Sequence, residues 1–135
     1  PSCLGHHRRG ASTANANLRP DGMDDLNPEL LLRNGIQTLG ENEVAIYKPR
    51  WGAFYSTPLQ NHLQRLGVDT IVFCGCNFPN CPRTSIYQAS ERDYRLVLAT
   101  DAVSQAYDRG LAELQAIGVN LMTVDDIISH TTPIE

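Results

Sequence analysis

At 135 residues with a formal net charge of −4, the chain is sized for one domain and has no basic excess to draw it to a nucleic-acid backbone. No apolar run approaches the length of a membrane span and no apolar signal-peptide core opens the sequence, so no membrane partner is indicated and a cytoplasmic location is expected. Three of the four cysteines, Cys74, Cys76 and Cys81, crowd into one short stretch while Cys3 stands apart, which suits reduced thiols better than a bridged framework.

In chain order, residues 1–42 read as an irregular N-terminal arm. Pro1 to Pro20 holds no alternating or continuous apolar stretch able to make a core strand, and the adjacent His6 and His7 read as part of a solvated tail rather than as metal ligands. Leu30-Leu31-Leu32 is the one apolar cluster of the arm and reads as a short packing segment. From residue 43 the pattern changes to alternating strands and helices. Glu43 to Lys48 is a short strand; Thr57-Pro58 then supplies a helix cap, and Leu59, Leu63 and Leu66 share one helical stripe that Gly67 ends. Val68 to Cys74 is a buried-looking strand. A helix runs from Pro82 to Asp93, where Ser85 and Ala89 are small enough to allow close approach to a sheet. Arg95 to Thr100 is the next strand, Leu111, Leu114 and Ile117 mark a helix that Gly118 stops, Val119 to Val124 is a last strand, and a short helix begins at Asp125.

Strands that are nearly continuously apolar and separated by single helices imply an α/β fold with a parallel sheet covered on both faces. Reactive groups in such folds gather at the carboxyl ends of the strands. The segment Gly75-Cys76-Asn77-Phe78-Pro79-Asn80-Cys81-Pro82 sits at that edge, between a strand and a helix. Proline is favoured at the first helical position, so Pro82 puts Cys81 at the helix mouth, where the free N–H groups and the helix dipole favour a thiolate. Cys81 is therefore the candidate nucleophile and the thiol expected to alkylate first. Cys74 and Cys76 are not read with it as metal ligands, because Cys74 closes a buried strand and no fourth ligand stands at a recognisable spacing. Arg83 and Arg92 read as solvated or structurally paired, and neither His62 nor His130 is well placed as a base.

Three motifs, Tyr47-Lys48-Pro49-Arg50-Trp51-Gly52-Ala53-Phe54-Tyr55, the cysteine turn, and Ala99-Thr100-Asp101-Ala102-Val103, stand in an order and spacing that resembles the isochorismatase-like cysteine hydrolases, from about Arg19 to Ile128. The resemblance implies a three-layer α/β sandwich with a parallel, Rossmann-like sheet and a catalytic aspartate, lysine and cysteine. Lys48 matches the lysine and Cys81 the nucleophile. The turn matches a segment that carries a non-proline cis peptide, which by position falls between Asn77 and Phe78, and the backbone N–H groups of Phe78 and Cys81 become the oxyanion donors. Trp51 and Phe54 then border the substrate pocket, and Lys48 is expected near Cys81. No cofactor and no metal are expected. It implies hydrolysis of a carbon–nitrogen bond in a small-molecule amide or ureide through a thioester, and a homo-oligomer.

The family aspartate ends its first strand in a segment of the form apolar-apolar-Asp-x-Gln, and no such segment precedes Lys48; Asp21, Asp24 and Asp25 match nothing in it. Residues 43–135 therefore read as the second part of a hydrolase domain whose first strand is missing. Two functions follow from this: an amide hydrolase with Cys81 and Lys48 in place, or a truncated, non-catalytic member acting by binding or oligomer formation. A sheet lacking an internal strand is expected to need another segment or chain to complete it.

Overall fold

Asn27 opens the first helix of the computed structural model, which describes residues 26–131; His6, His7, Cys3, Asp21, Asp24 and Asp25 lie outside the described residues. The chain divides after Gly67 into two compact units. In the first, helix α1 (Pro28–Leu32) is set by its cap: Asn27 Oδ1 accepts from the Leu30 N–H at 3.1 Å, and Pro28 takes the first turn, where its missing N–H costs nothing. Gly35 turns the chain beneath it. A side chain there would meet the Leu30 carbonyl oxygen at 2.6 Å, so only glycine fits.

Strand β1 (Ile36–Gly40) follows and pairs antiparallel with β2 (Glu43–Ile46), Ile36 opposite Ile46 and Thr38 opposite Val44. The arm expected to be irregular up to residue 42 thus contains a helix and a strand, and β2 belongs to a hairpin rather than to a parallel series. The physical reason is proximity: only Glu41 and Asn42 separate the two strands, so pairing them closes a very short loop. Helix α2 (Leu59–Arg65) forms where expected. Thr57 Oγ1 accepts from the Leu59 N–H at 3.3 Å, and Gly67, at φ 67°, leaves the helix in the left-handed region. Its stripe packs loosely, with Leu66 64% exposed.

The second unit is α/β with a three-stranded parallel sheet, in the order β3 (Thr70–Gly75), β4 (Arg95–Val103), β5 (Asn120–Met122). Val72 lies opposite Val97, and Leu98 opposite Leu121. Helix α3 (Cys81–Ser90) packs on β3 and β4, α4 (Asp108–Ala116) on β5, and α5 (Val124–Thr131) on β4. The central strand is the core: Leu96, Leu98, Ala99 and Val103 are buried with Phe78, Ile86, Ala89, Leu114 and Val119. Ser85 and Ala89 are buried on α3, as their size predicts. β3 is an edge strand, its Thr70, Val72 and Cys74 exposed while Ile71 and Phe73 are half-buried. No described helix is long and apolar enough to cross a membrane.

Candidate functional site

The turn between β3 and α3 carries the candidate nucleophile. Gly75, at φ 110°, ends β3 in a conformation that side chains resist, and Cys81 is the first residue of α3, with Pro82 behind it. Cys81 is in no disulfide, is 4% exposed, and is placed among the N–H groups at the positive end of a ten-residue helix. Its own carbonyl accepts from the buried Ser85 hydroxyl at 2.7 Å, and Thr84 Oγ1 donates to the Asn80 carbonyl at 2.9 Å, so the first turn of α3 is pinned by its side chains.

Two features of the turn differ from expectation. The cis peptide lies between Cys76 and Asn77, one residue before the Asn77–Phe78 bond. The Phe78 N–H is also engaged, donating to the Ser104 carbonyl at 2.8 Å, which removes it from the pool of oxyanion donors. Sequence gave no sign of this because Ser104 is remote in the chain and reaches the turn only through the β3–β4 pairing, whose register shifts beside Gly75 and Val103. The Asn80 N–H closes the turn on the Asn77 carbonyl at 3.0 Å, and Pro79 has no N–H. The Asn77 N–H donates to nothing among the described residues.

The turn is held from the far side by the start of α4. Phe78 is fully buried and meets the Tyr107 ring edge-on, centroids 5.4 Å apart. Gly110 lets it seat there, since a Cβ on Gly110 would come within 2.6 Å of the Phe78 ring. Arg83, one turn into α3, donates to Glu113 and to the Tyr107 hydroxyl, and Arg109 joins Glu113 at 3.0 Å. The hydrogen bonds from Arg83 and then Arg109 hold the Glu113 carboxyl below its ordinary value. Arg83 is thus structurally paired, as its sequence context suggests. Ser104, Tyr107 and Gly110 were not singled out by sequence; a glycine inside an otherwise helical stretch is the one available signal.

In the first unit, Lys48 follows β2 and its Nζ donates to the carbonyls of Arg50 at 3.0 Å and Trp51 at 3.1 Å. The ammonium therefore folds its own loop around itself. Trp51 is 43% exposed and Phe54 5%, so of the two aromatics Phe54 is the packed one. The predicted residues gather in two groups, Lys48 with Trp51 and Phe54 in one unit, and Phe78 with Cys81 in the other. Among the described residues no group of His, Cys, Asp or Glu side chains is arranged to hold a metal ion.

The isochorismatase domain model matches residues 17–126, a span that includes both groups. A probable inactive nicotinamidase of Arabidopsis thaliana is 32% identical over 100 residues, covering 70% of this chain and 51% of that protein. The ureidoacrylate amidohydrolase of Methylorubrum extorquens is 32% identical over 71 residues, 53% of this chain and 29% of that one. The crystal structure of an isochorismatase-like hydrolase from Alkaliphilus metalliredigens matches with a TM-score of 0.61 at 28% identity, covering 78% of this chain and 56% of that chain. The chain spans about half or less of the length of the curated relatives it matches. With its parallel sheet, its cysteine at the mouth of α3 and a family match over most of its length, the chain belongs to the isochorismatase family.

Proposed function

We propose that the chain is part of a cysteine hydrolase that cleaves the carbon–nitrogen bond of a small amide or ureide and works as a cytoplasmic homo-oligomer. The observation that carries this reading is the seat of Cys81, a thiol outside any disulfide at the first position of α3 just past the carboxyl end of β3. The sulfur attacks the carbonyl carbon, and the carbonyl electron pair moves onto oxygen. The Cys81 and Asn77 N–H groups receive that oxyanion, Asn77 standing in for the engaged Phe78. Collapse breaks the carbon–nitrogen bond, the amine leaves with a proton from an acid–base carboxylate, and a thioester remains. Water adds to the thioester and returns a proton to that carboxylate. The carbon–sulfur bond then breaks, releasing the acid and the thiolate. Lys48, Trp51 and Phe54 enter this reading on their match to the family motif. The carboxylate is the family aspartate, which no motif of this chain supplies. The name of the Methylorubrum relative, a ureidoacrylate amidohydrolase, supports a ureide or amide as substrate class.

A second reading, binding without turnover, is favoured by one observation: a relative 32% identical over 100 residues is itself named as probably inactive. Hydrolysis of ureidoacrylate and a panel of small amides, followed by release of amine or ammonia, separates the two. With a strand carrying the family aspartate joined to the chain, the hydrolase reading expects turnover that falls by about a thousandfold or more in Cys81→Ala. A chain completed in this way that folds and binds an amide without hydrolysing it, or a completed Cys81→Ala chain of undiminished activity, overturns it.

A further inference from the structure

Ser104 stands just past β4, exposed, yet every polar group it owns is engaged with the turn before Cys81. Its N–H donates to the Gly75 carbonyl at 3.0 Å, its carbonyl accepts from the Phe78 N–H at 2.8 Å, and its hydroxyl donates to Asn77 Oδ1 at 2.9 Å. The backbone is therefore held on both sides of the Cys76–Asn77 peptide, and the hydroxyl holds the Asn77 side chain between those two anchors. Within the turn, the Phe78 and Asn80 N–H groups are taken and Pro79 has none, whereas the Asn77 N–H donates to nothing among the described residues. A donor of that kind is useful to a developing charge only if its direction is fixed before the charge appears.

The geometry points to Ser104 as a positioning residue, whose hydroxyl fixes Asn77 so that the Asn77 N–H is presented beside that of Cys81 to the oxyanion. The inference rests on the hydrolase reading above. Phe78, fully buried against Tyr107 and Gly110, keeps the turn in place without the hydroxyl. Removing the hydroxyl therefore leaves the fold intact and lets the Asn77 peptide rock between its anchors.

The test compares Ser104→Ala and Ser104→Thr with the wild-type chain, using ureidoacrylate as substrate and iodoacetamide as a thiol probe. In Ser104→Ala, kcat is expected to fall by about tenfold to a hundredfold with KM changed by less than about twofold, because the lost alignment acts on the transition state. Ser104→Thr, which keeps a hydroxyl on the same carbon, is expected to recover most of kcat. Alkylation of Cys81 develops no oxyanion, so its rate is expected to be equal in all three chains. An unchanged kcat in Ser104→Ala, or an alkylation rate that falls in step with kcat, overturns the assignment. If the wild-type chain, which supplies no family aspartate, hydrolyses nothing, the amide NMR signals decide. A displaced Asn77 amide signal in Ser104→Ala that returns in Ser104→Thr sustains the positioning role, and a signal unmoved by Ser104→Ala overturns it.

Discussion

Gly110→Ala measures how firmly the Cys81 turn is seated. The added Cβ would stand 2.6 Å from Cε1 of Phe78 and 2.7 Å from the Tyr107 ring, far inside the roughly 3.5–4.0 Å at which carbon atoms attract. Tyr107 is 40% exposed and its ring has room to swing outward, but Phe78 is 0% exposed and enclosed, so relief has to come from the backbone of the turn or of α4. Overpacking of this kind costs about 1–3 kcal/mol. Replacing a helical glycine by alanine returns about 0.5–1 kcal/mol. The net expectation is a loss of up to about 2.5 kcal/mol, or a drop in Tm of up to about 10 °C for a domain of this size. Thermal unfolding followed by circular dichroism reads it directly. Phe78→Leu in the same background supplies the control, because a smaller side chain relieves the clash and the two changes should couple by about 0.5 kcal/mol or more. Two changes that simply add would refute the picture of Phe78 wedged against α4.

The acid limb of stability should carry a signature of Glu113. Hydrogen bonds from Arg83 and Arg109 hold its carboxyl below the ordinary 4.5, so its contribution is full above that value and is lost as pH falls through the lower, folded-state one. Glu113→Gln is expected to flatten the fall of Tm below about pH 4.5. The flattening is partial, since Asp126, held down by its bonds to Thr123, titrates in the same direction; an unaltered slope counts against the Arg83–Glu113 clasp. Limiting iodoacetamide at neutral pH, with mass mapping, is expected to mark Cys81 before Cys74, even though Cys74 is exposed and Cys81 is buried. Cys74 labelled first ends the case for Cys81 as nucleophile.

The βα units of the second half were legible because their signals are local. Gly67 and Gly118 end helices in left-handed conformations, Pro82 marks a helix start, and the apolar runs around Val72 and Leu98 have no competing period. The hairpin of β1 and β2 was not legible in the same way. Alternation along Glu43–Lys48 declares a strand but says nothing of its partner, and Ile36–Gly40 is too short to announce itself. Within the site, Cys81 could be placed from Pro82 alone. The Phe78 N–H could not be excluded as a donor, because what engages it is the carbonyl of Ser104, brought up by a parallel strand from far along the chain. Arg83 was readable as a paired residue in kind, though its partner Glu113 depended on how α4 lies over α3.

Among the described strands, β3 ends the sheet with no lysine, proline or glutamate anywhere in Thr70–Gly75. Natural edge strands usually carry such residues to keep other strands from joining them. Their absence makes this edge receptive, because backbone pairing demands no particular sequence from the strand that arrives. The faces are more selective than the edge: Ile71 and Phe73 are half-buried, while Val72, 45% exposed, and Cys74 make a largely apolar second face with Thr70 at its start. A strand that settles beside β3 and leaves both faces dry must itself be apolar on both sides, as a strand deep inside a sheet is and a hairpin strand with a solvated face is not.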